Sequence, residues 1–190
     1  MTSPGQNQQV FRTLLAAFSR PGMVRAFPLG ITDSLRGVLA CLVDARSSVY
    51  LWGGGDETLR QWLRQQGIPY QPSLPAEFVV CNWRDWSWQA LASLPIGSEE
   101  APEEGATLIL CNVPNGPGSE YVLEGPGVQG RLRSSLPLPP EFLDAWQKLQ
   151  SQYPRGVDVL LVRAEECIAL PRSTHVAAPM LRRLHVVCSQ

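Results

Sequence analysis

Apolar side chains recur at Val10, Phe11, Leu14, Leu15 and Phe18, the period of an amphipathic helix, until Ser19-Arg20-Pro21-Gly22 ends it. The same period returns at Leu35, Val38, Leu39, Leu42 and Val43 behind Thr32-Asp33-Ser34, and at Leu59, Trp62 and Leu63 in a helix over 57–66. Short apolar runs fall between these helices. They predict strands over 48–52, 77–81, 107–112, 120–123, 157–162 and 167–170, with further helices near 83–93 and 140–151.

Helices interleaved with nearly continuous apolar strands, such as Leu108-Ile109-Leu110 and Val159-Leu160-Leu161-Val162, imply a sheet covered on both faces. The fold class expected is therefore α/β, a three-layer αβα sandwich. A second run over 128–133 is expected to pair antiparallel with 120–123 around Gly125-Pro126-Gly127, which makes the sheet mixed. Neither a repeat nor a long linker interrupts the pattern, so one domain over 1–190 is the simplest organisation.

Composition narrows the function classes. Sixteen basic against seventeen acidic residues leave a net charge of −1, which supplies no field for a polyanion and disfavours nucleic-acid binding. Charged residues make up only 17% of the chain, so part of the surface is expected to be covered by other subunits. No apolar run reaches the length of a membrane span, and residues 1–9 lack the charged and apolar regions of a signal peptide. A soluble, cytoplasmic protein is expected, and five cysteines without CxxC spacing read as reduced core thiols.

Candidate chemistry is sparse. Lys148 is the only lysine, and it is followed by Leu149, so there is no P-loop. Phe142, Leu143, Trp146 and Leu149 mark the buried stripe of its helix and leave Lys148 on the polar flank, a poor anchor for pyridoxal phosphate. No cofactor is expected. With only His175 and His185 and no clustered cysteines, no metal site is expected either, and His185-Val186-Val187-Cys188 reads as a short terminal strand. GxSxG is absent.

Gly53-Gly54-Gly55 stands between a strand and a helix, where free backbone N–H groups can approach an anion, although Asp56 behind it suits a helix cap and would repel a phosphate. In Leu170-Pro171-Arg172-Ser173-Thr174-His175 a strand runs into a guanidinium, two hydroxyls and an imidazole. Arg172, Ser173 and Thr174 suit anion oxygens, and Arg172, His175 and Asp158 are the catalytic candidates. The alternative is an arginine salt bridge with the hydroxyls bonded locally in a turn, and Asp158 fits as the Arg172 partner in either reading. Both remain open from sequence. Trp83, Trp86 and Trp88 crowd three indoles into Trp83-Arg84-Asp85-Trp86-Ser87-Trp88 and are the interface candidates. The acidic run around Glu99-Glu100 and Glu103-Glu104 reads as a solvated turn.

The chain resembles the PhnH family of the bacterial carbon-phosphorus lyase system. The likeness rests on Phe11-Arg12-x-Leu14-Leu15-x-Ala17-x-Ser19-x-Pro21-Gly22, on Pro102-x-x-Gly105-Ala106-Thr107-Leu108-Ile109-Leu110, and on Leu123-x-Gly125-Pro126-Gly127-Val128. It also rests on Pro154-x-Gly156-Val157-Asp158-Val159-Leu160-Leu161 followed by Leu170-Pro171-Arg172-Ser173-Thr174-His175, where Ser173 stands in place of an expected Thr. The resemblance implies a core like the large domain of pyridoxal-phosphate-dependent transferases, without the cofactor. It implies work with the PhnG, PhnI and PhnL proteins in making alpha-D-ribose 1-methylphosphonate 5-triphosphate from ATP and methylphosphonate. It further implies a core complex with PhnG, PhnI and PhnJ, and a homodimer when isolated. The alternatives are a vestigial scaffold without an active site and a free-standing enzyme acting on a small anion.

Overall fold

The computed structural model describes residues 4–116 and 118–179. The first apolar stripe becomes α1 (Pro4–Ser19), which buries Val10, Leu14 and Ala17. Its five apolar positions are wider than the face it packs, so Phe11 and Leu15 remain exposed. A two-residue strand, β1 (Arg25–Ala26), precedes α2 (Ser34–Leu42), whose N-cap Asp33 accepts from the Arg36 N–H at 3.0 Å. Next come β2 (Val49–Leu51), α3 (Glu57–Gln65), β3 (Tyr70–Gln71), β4 (Phe78–Asn82) and β5 (Thr107–Cys111). The chain continues through β6 (Ser119–Glu124), β7 (Leu132–Leu136), α4 (Pro140–Gln150), β8 (Asp158–Val162), β9 (Glu166–Leu170) and β10 (His175–Ala177).

Seven strands form the main sheet in the order β1-β9-β8-β5-β4-β2-β3. The strands from β8 to β3 run parallel, and β9 runs antiparallel beside β8. Alternate side chains of these strands point to opposite faces. Val79, Cys81, Leu108, Leu110, Val159 and Leu161 meet Trp88, Leu91, Phe142 and Trp146 on one face. Val80, Ile109, Leu160 and Val162 meet Val10 and Leu14 of α1, Val38 and Leu39 of α2, and Leu59 and Leu63 of α3 on the other.

Three details differ from the sequence expectation. The antiparallel pair exists, but its return strand is β7 at Leu132–Leu136 rather than 128–133, with Leu123 opposite Leu132. That pair does not make the main sheet mixed. It joins β10 in a separate three-stranded sheet, and the antiparallel members of the main sheet are β9 against β8 and β1 against β9. The segment 83–93 is not one helix but two 3-10 turns, Trp83–Asp85 and Trp88–Ser93, with Trp86 extended between them. A continuous helix would have left an indole facing away from the core, and the break turns each ring toward another aromatic side chain. Residues 185–188 lie outside the described residues.

Candidate functional site

Because β9 runs antiparallel to β8, its last residues return to the amino end of the parallel strands. This puts Arg172 beside Asp158, the first residue of β8. The Arg172 guanidinium donates from Nε to Asp158 Oδ2 at 3.1 Å and from Nη2 to the same oxygen at 2.6 Å, while the Arg172 backbone N–H donates to Oδ1 at 2.7 Å. Nη2 also reaches the Gly105 carbonyl at 3.2 Å, and Nη1 donates to the Pro102 carbonyl. Of five guanidinium N–H groups, only one on Nη1 is left without a partner among the described residues. The pair is largely buried, with side-chain exposures of 16% for Arg172 and 20% for Asp158. Glycine is needed where the guanidinium passes, since a Cβ on Gly105 would meet the Gly156 carbonyl and Arg172 Nη1.

The neighbouring candidates diverge from this pair. Thr174 is fully buried, and its carbonyl accepts from Trp146 Nε1 at 3.0 Å and from Gln150 Nε2. His175 is exposed at the start of β10, opposite Glu124. It shares no hydrogen bond or ion pair with Arg172 or Asp158 in the described structure. Ser173 is half-buried, and its carbonyl lies 2.7 Å from where a Cβ on Gly125 would stand. Trp88 is buried, Trp83 and Trp86 are half-buried, and edge-to-face contacts run from Trp52 through Trp86 and Trp88 to Phe142. Lys148 is exposed in the last turn of α4, on the polar flank that the periodicity assigned to it.

Gly53, Gly54 and Gly55 occupy the opposite, carboxyl end of the sheet. All three have positive φ, at 70°, 86° and 62°; Gly53 and Gly54 belong to the 3-10 turn Trp52–Gly54 that follows β2, and Gly55 is its C-cap. They do not converge with Arg172. Instead, Gly53 and Gly55 help line a crevice of about 530 Å³ outside the carboxyl ends of β2, β4, β5 and β8. The chain leaves β2 for the edge strand β3 and then returns to β4 on the other side of β2, so the crevice sits at a reversal of strand order, where α/β sheets bind ligands.

The crevice wall is formed largely by residues just beyond the apolar runs: Trp52 after β2, Asn82 and Asp85 at the end of β4, Asn112 after β5 and Arg163 after β8. Asn112 adopts φ 55°, the only positive φ outside glycine among the described residues, a strain of about 1 kcal/mol or more. Asp33 and Asp56 cap α2 and α3 here, with Asp56 accepting from the Leu59 N–H at 2.6 Å and the Thr58 hydroxyl at 2.7 Å. These bonds hold the Asp56 carboxyl below its ordinary range. Cys111 also lines the crevice, but burial pushes its thiol up to about 11, so at neutral pH it is protonated and a poor nucleophile. Among the described residues no three His, Cys, Asp or Glu side chains gather to hold a metal ion.

The family model described as bacterial phosphonate metabolism protein (PhnH) matches residues 2–177. The chain belongs to the PhnH family. It is 31% identical over 177 residues to a protein of Stutzerimonas stutzeri named as the C-P lyase subunit protein HtxG, covering 90% of this chain and 86% of that relative. It is 26% identical over 180 residues to the alpha-D-ribose 1-methylphosphonate 5-triphosphate synthase subunit PhnH of Rhizobium meliloti (strain 1021), covering 88% of each.

The segments that carry the PhnH resemblance are distant in sequence and adjacent in the fold. Pro102, Gly105, Gly156 and Asp158 surround Arg172. Ser19, Pro21 and Gly22 meet the 123–127 turn, because a Cβ on Gly127 would strike the Ser19 carbonyl and one on Gly22 would strike the Leu123 side chain. The sequence reading did not single out Asp85, Asn112 or Arg163. The available signal was positional, since polar residues follow successive parallel strands at the carboxyl edge.

Proposed function

We propose that this PhnH-family chain is a subunit of a bacterial carbon-phosphorus lyase system. In this reading it supports formation of alpha-D-ribose 1-methylphosphonate 5-triphosphate from ATP and methylphosphonate, with PhnG, PhnI and PhnJ as core partners and a functional link to PhnL. The observation that carries the proposal is the match along nearly the whole chain to relatives whose names describe subunits. The surface supports it: Phe11, Leu15, Met23 and Val24 are 39–51% exposed, apolar area suited to burial against another chain. Trp83 and Trp86 are the further interface candidates. The isolated chain self-associates, as a homodimer, through a face that a complex partner otherwise covers.

The same reading takes residues 1–190 as one cytoplasmic domain, related to the large domain of pyridoxal-phosphate-dependent transferases but working without that cofactor. Among the described residues no helix is long and apolar enough to cross a membrane. A purely scaffolding role is the second reading, favoured by the inward engagement of Arg172. Tagged chain expressed in its own host during growth on methylphosphonate should co-purify with PhnG, PhnI and PhnJ, and its deletion should stop that growth. Purification of the chain alone together with undiminished growth of the deletion strain would overturn the proposal. Turnover of ATP and methylphosphonate by the purified chain alone would replace it with the free-standing enzyme.

A further inference from the structure

We propose that Asn115 is a self-modification site. Its side-chain amide cyclises onto the Gly116 backbone nitrogen and hydrolyses to an aspartyl or isoaspartyl residue, which turns the groove beside Trp83 from neutral to anionic as the protein ages. Both residues lie in the loop between β5 and β6.

The reaction needs no partner but water. The Gly116 nitrogen loses its proton and bonds to Asn115 Cγ, and the side-chain nitrogen leaves as ammonia, closing a cyclic imide. Water then opens the ring at either carbonyl. Attack at Cγ leaves an ordinary aspartyl residue, and attack at the backbone carbonyl leaves an isoaspartyl residue whose main chain runs through the former side chain. One water is consumed, one ammonia is released, no group is oxidised or reduced, and the chain gains one negative charge.

Ring closure requires an unpaired carboxamide, a free N–H on the next residue and open space around both. Asn115 meets all three conditions. It is exposed, and among the described residues neither its side chain nor the Gly116 N–H takes part in a hydrogen bond. Gly116 adopts φ 141°, a conformation open to glycine, and a Cβ there would meet nothing within 4 Å. The other three asparagines of the chain are each held out of reach. Asn7 is fixed in the backbone geometry of α1, and its Oδ1 is buried. Asn82 caps a 3-10 turn, its Oδ1 accepting from the Arg84 N–H at 3.1 Å, and the bulky Trp83 follows it. Asn112 is followed by the β-branched Val113, whose N–H is tied to the Val162 carbonyl at 3.3 Å.

Position gives the modification its consequence. Asn115, Gly116 and Trp83 line a groove of about 510 Å³ whose described lining residues, three of them prolines, carry no charge. A carboxylate at this position is therefore the groove's first charge, and it makes an uncharged wall repel anions.

The purified full-length chain is incubated at 37 °C at about pH 8.5 and at about pH 6, and the tryptic peptide 85–131 is sequenced by tandem mass spectrometry. A gain of about 1 Da at residue 115, divided between aspartyl and isoaspartyl forms, is expected within days in the alkaline sample and far later in the acid one, because the attacking nitrogen must be deprotonated. The native rate should lie within about tenfold of that in urea, as for a loop that the fold does not constrain. Gly116→Ala should slow the gain at least about tenfold, and Asn115→Gln should remove it. Thermal melts check both variants. If Gly116→Ala unfolds, hydroxylamine on the native wild-type chain serves instead, and it should cut after Asn115 by trapping the imide. A native rate more than about tenfold below the rate in urea, earlier modification at Asn82 or Asn112, or no effect of Gly116→Ala in a folded chain would overturn the proposal. So would a native chain that hydroxylamine leaves intact.

Discussion

At the amino end of the parallel strands, a guanidinium and a carboxylate from neighbouring strands use nearly all their bonding capacity on each other and on two backbone carbonyls. At the carboxyl end, among the described residues, the exposed Asp85 has no hydrogen bond or ion pair, Arg163 keeps a buried N–H without an acceptor, and Asn112 holds a left-handed backbone. The same strands thus carry a closed clasp at one edge and an unfinished polar crevice at the other. Polar groups that satisfy one another stabilise a fold, whereas groups left unsatisfied have capacity for something else. The segment richest in apparent chemistry, Arg172 to His175, belongs to the closed end.

The sharpest way to break this contrast is at Arg172. Removing it strands Asp158 in a largely buried place, and Arg172→Ala should cost about 3–5 kcal/mol in chemical denaturation. Arg172→Lys should cost nearly as much, because an ammonium cannot span Asp158 and both carbonyls at once. Asp85→Asn at the other end should leave stability within about 0.5 kcal/mol of the parent. Equal effects at the two ends would dissolve the distinction.

Next in size is Gly105→Ala, whose methyl would strike the Gly156 carbonyl and the Arg172 guanidinium. A loss of about 1–3 kcal/mol is expected. The double variant with Arg172→Ala should lose less than the sum, since one clash partner is then gone.

The crevice end has a smaller structural contribution of its own. Asp56→Ala should cost about 1 kcal/mol through loss of the α3 cap. The Thr58 hydroxyl, first, and the Leu59 N–H hold the Asp56 carboxyl below its ordinary value of 3.8, so the folded state binds that proton less readily than the unfolded chain. The cap's contribution is complete above pH 3.8 and fades as pH falls through the lower folded value. The stability gap between wild type and Asp56→Ala should narrow over that acid range.

The smallest effect concerns the thiols. Burial raises Cys81 and Cys167 from 9.0 to about 12, and Cys111 to about 11. Their stabilising contribution is intact below pH 9.0 and is lost as pH climbs through the folded values, so the melting temperature should decline in alkaline buffer. In a Cys188→Ser background at pH 8, Cys111 should react with a thiol reagent at least about tenfold more slowly in the native than in the unfolded chain, although it lines the crevice.

Periodicity alone located α1 to α4 and the long strands, because each turn or pleat repeats its burial within a few residues. It missed β1, β3 and β10, which have two or three residues and so no period to display. It also ran a helix through 83–93, where contacts among Trp52, Trp83, Trp86, Trp88 and Phe142 overrode local propensity.

By itself the sequence determined the α/β class, the PhnH likeness, the absence of a P-loop and the solvent-facing flank of Lys148, since each follows from residue identity or local spacing. It left open which groups surround Arg172. Only the tertiary structure brought them together, by reversing β9 against β8 so that Arg172 meets Asp158, with Pro102 and Gly105, some 70 and 67 residues away, on the same guanidinium. The crevice likewise depends on strand order. Asp85, Asn112 and Arg163 are separated along the chain and share a wall because β4, β5 and β8 are neighbours in one parallel sheet.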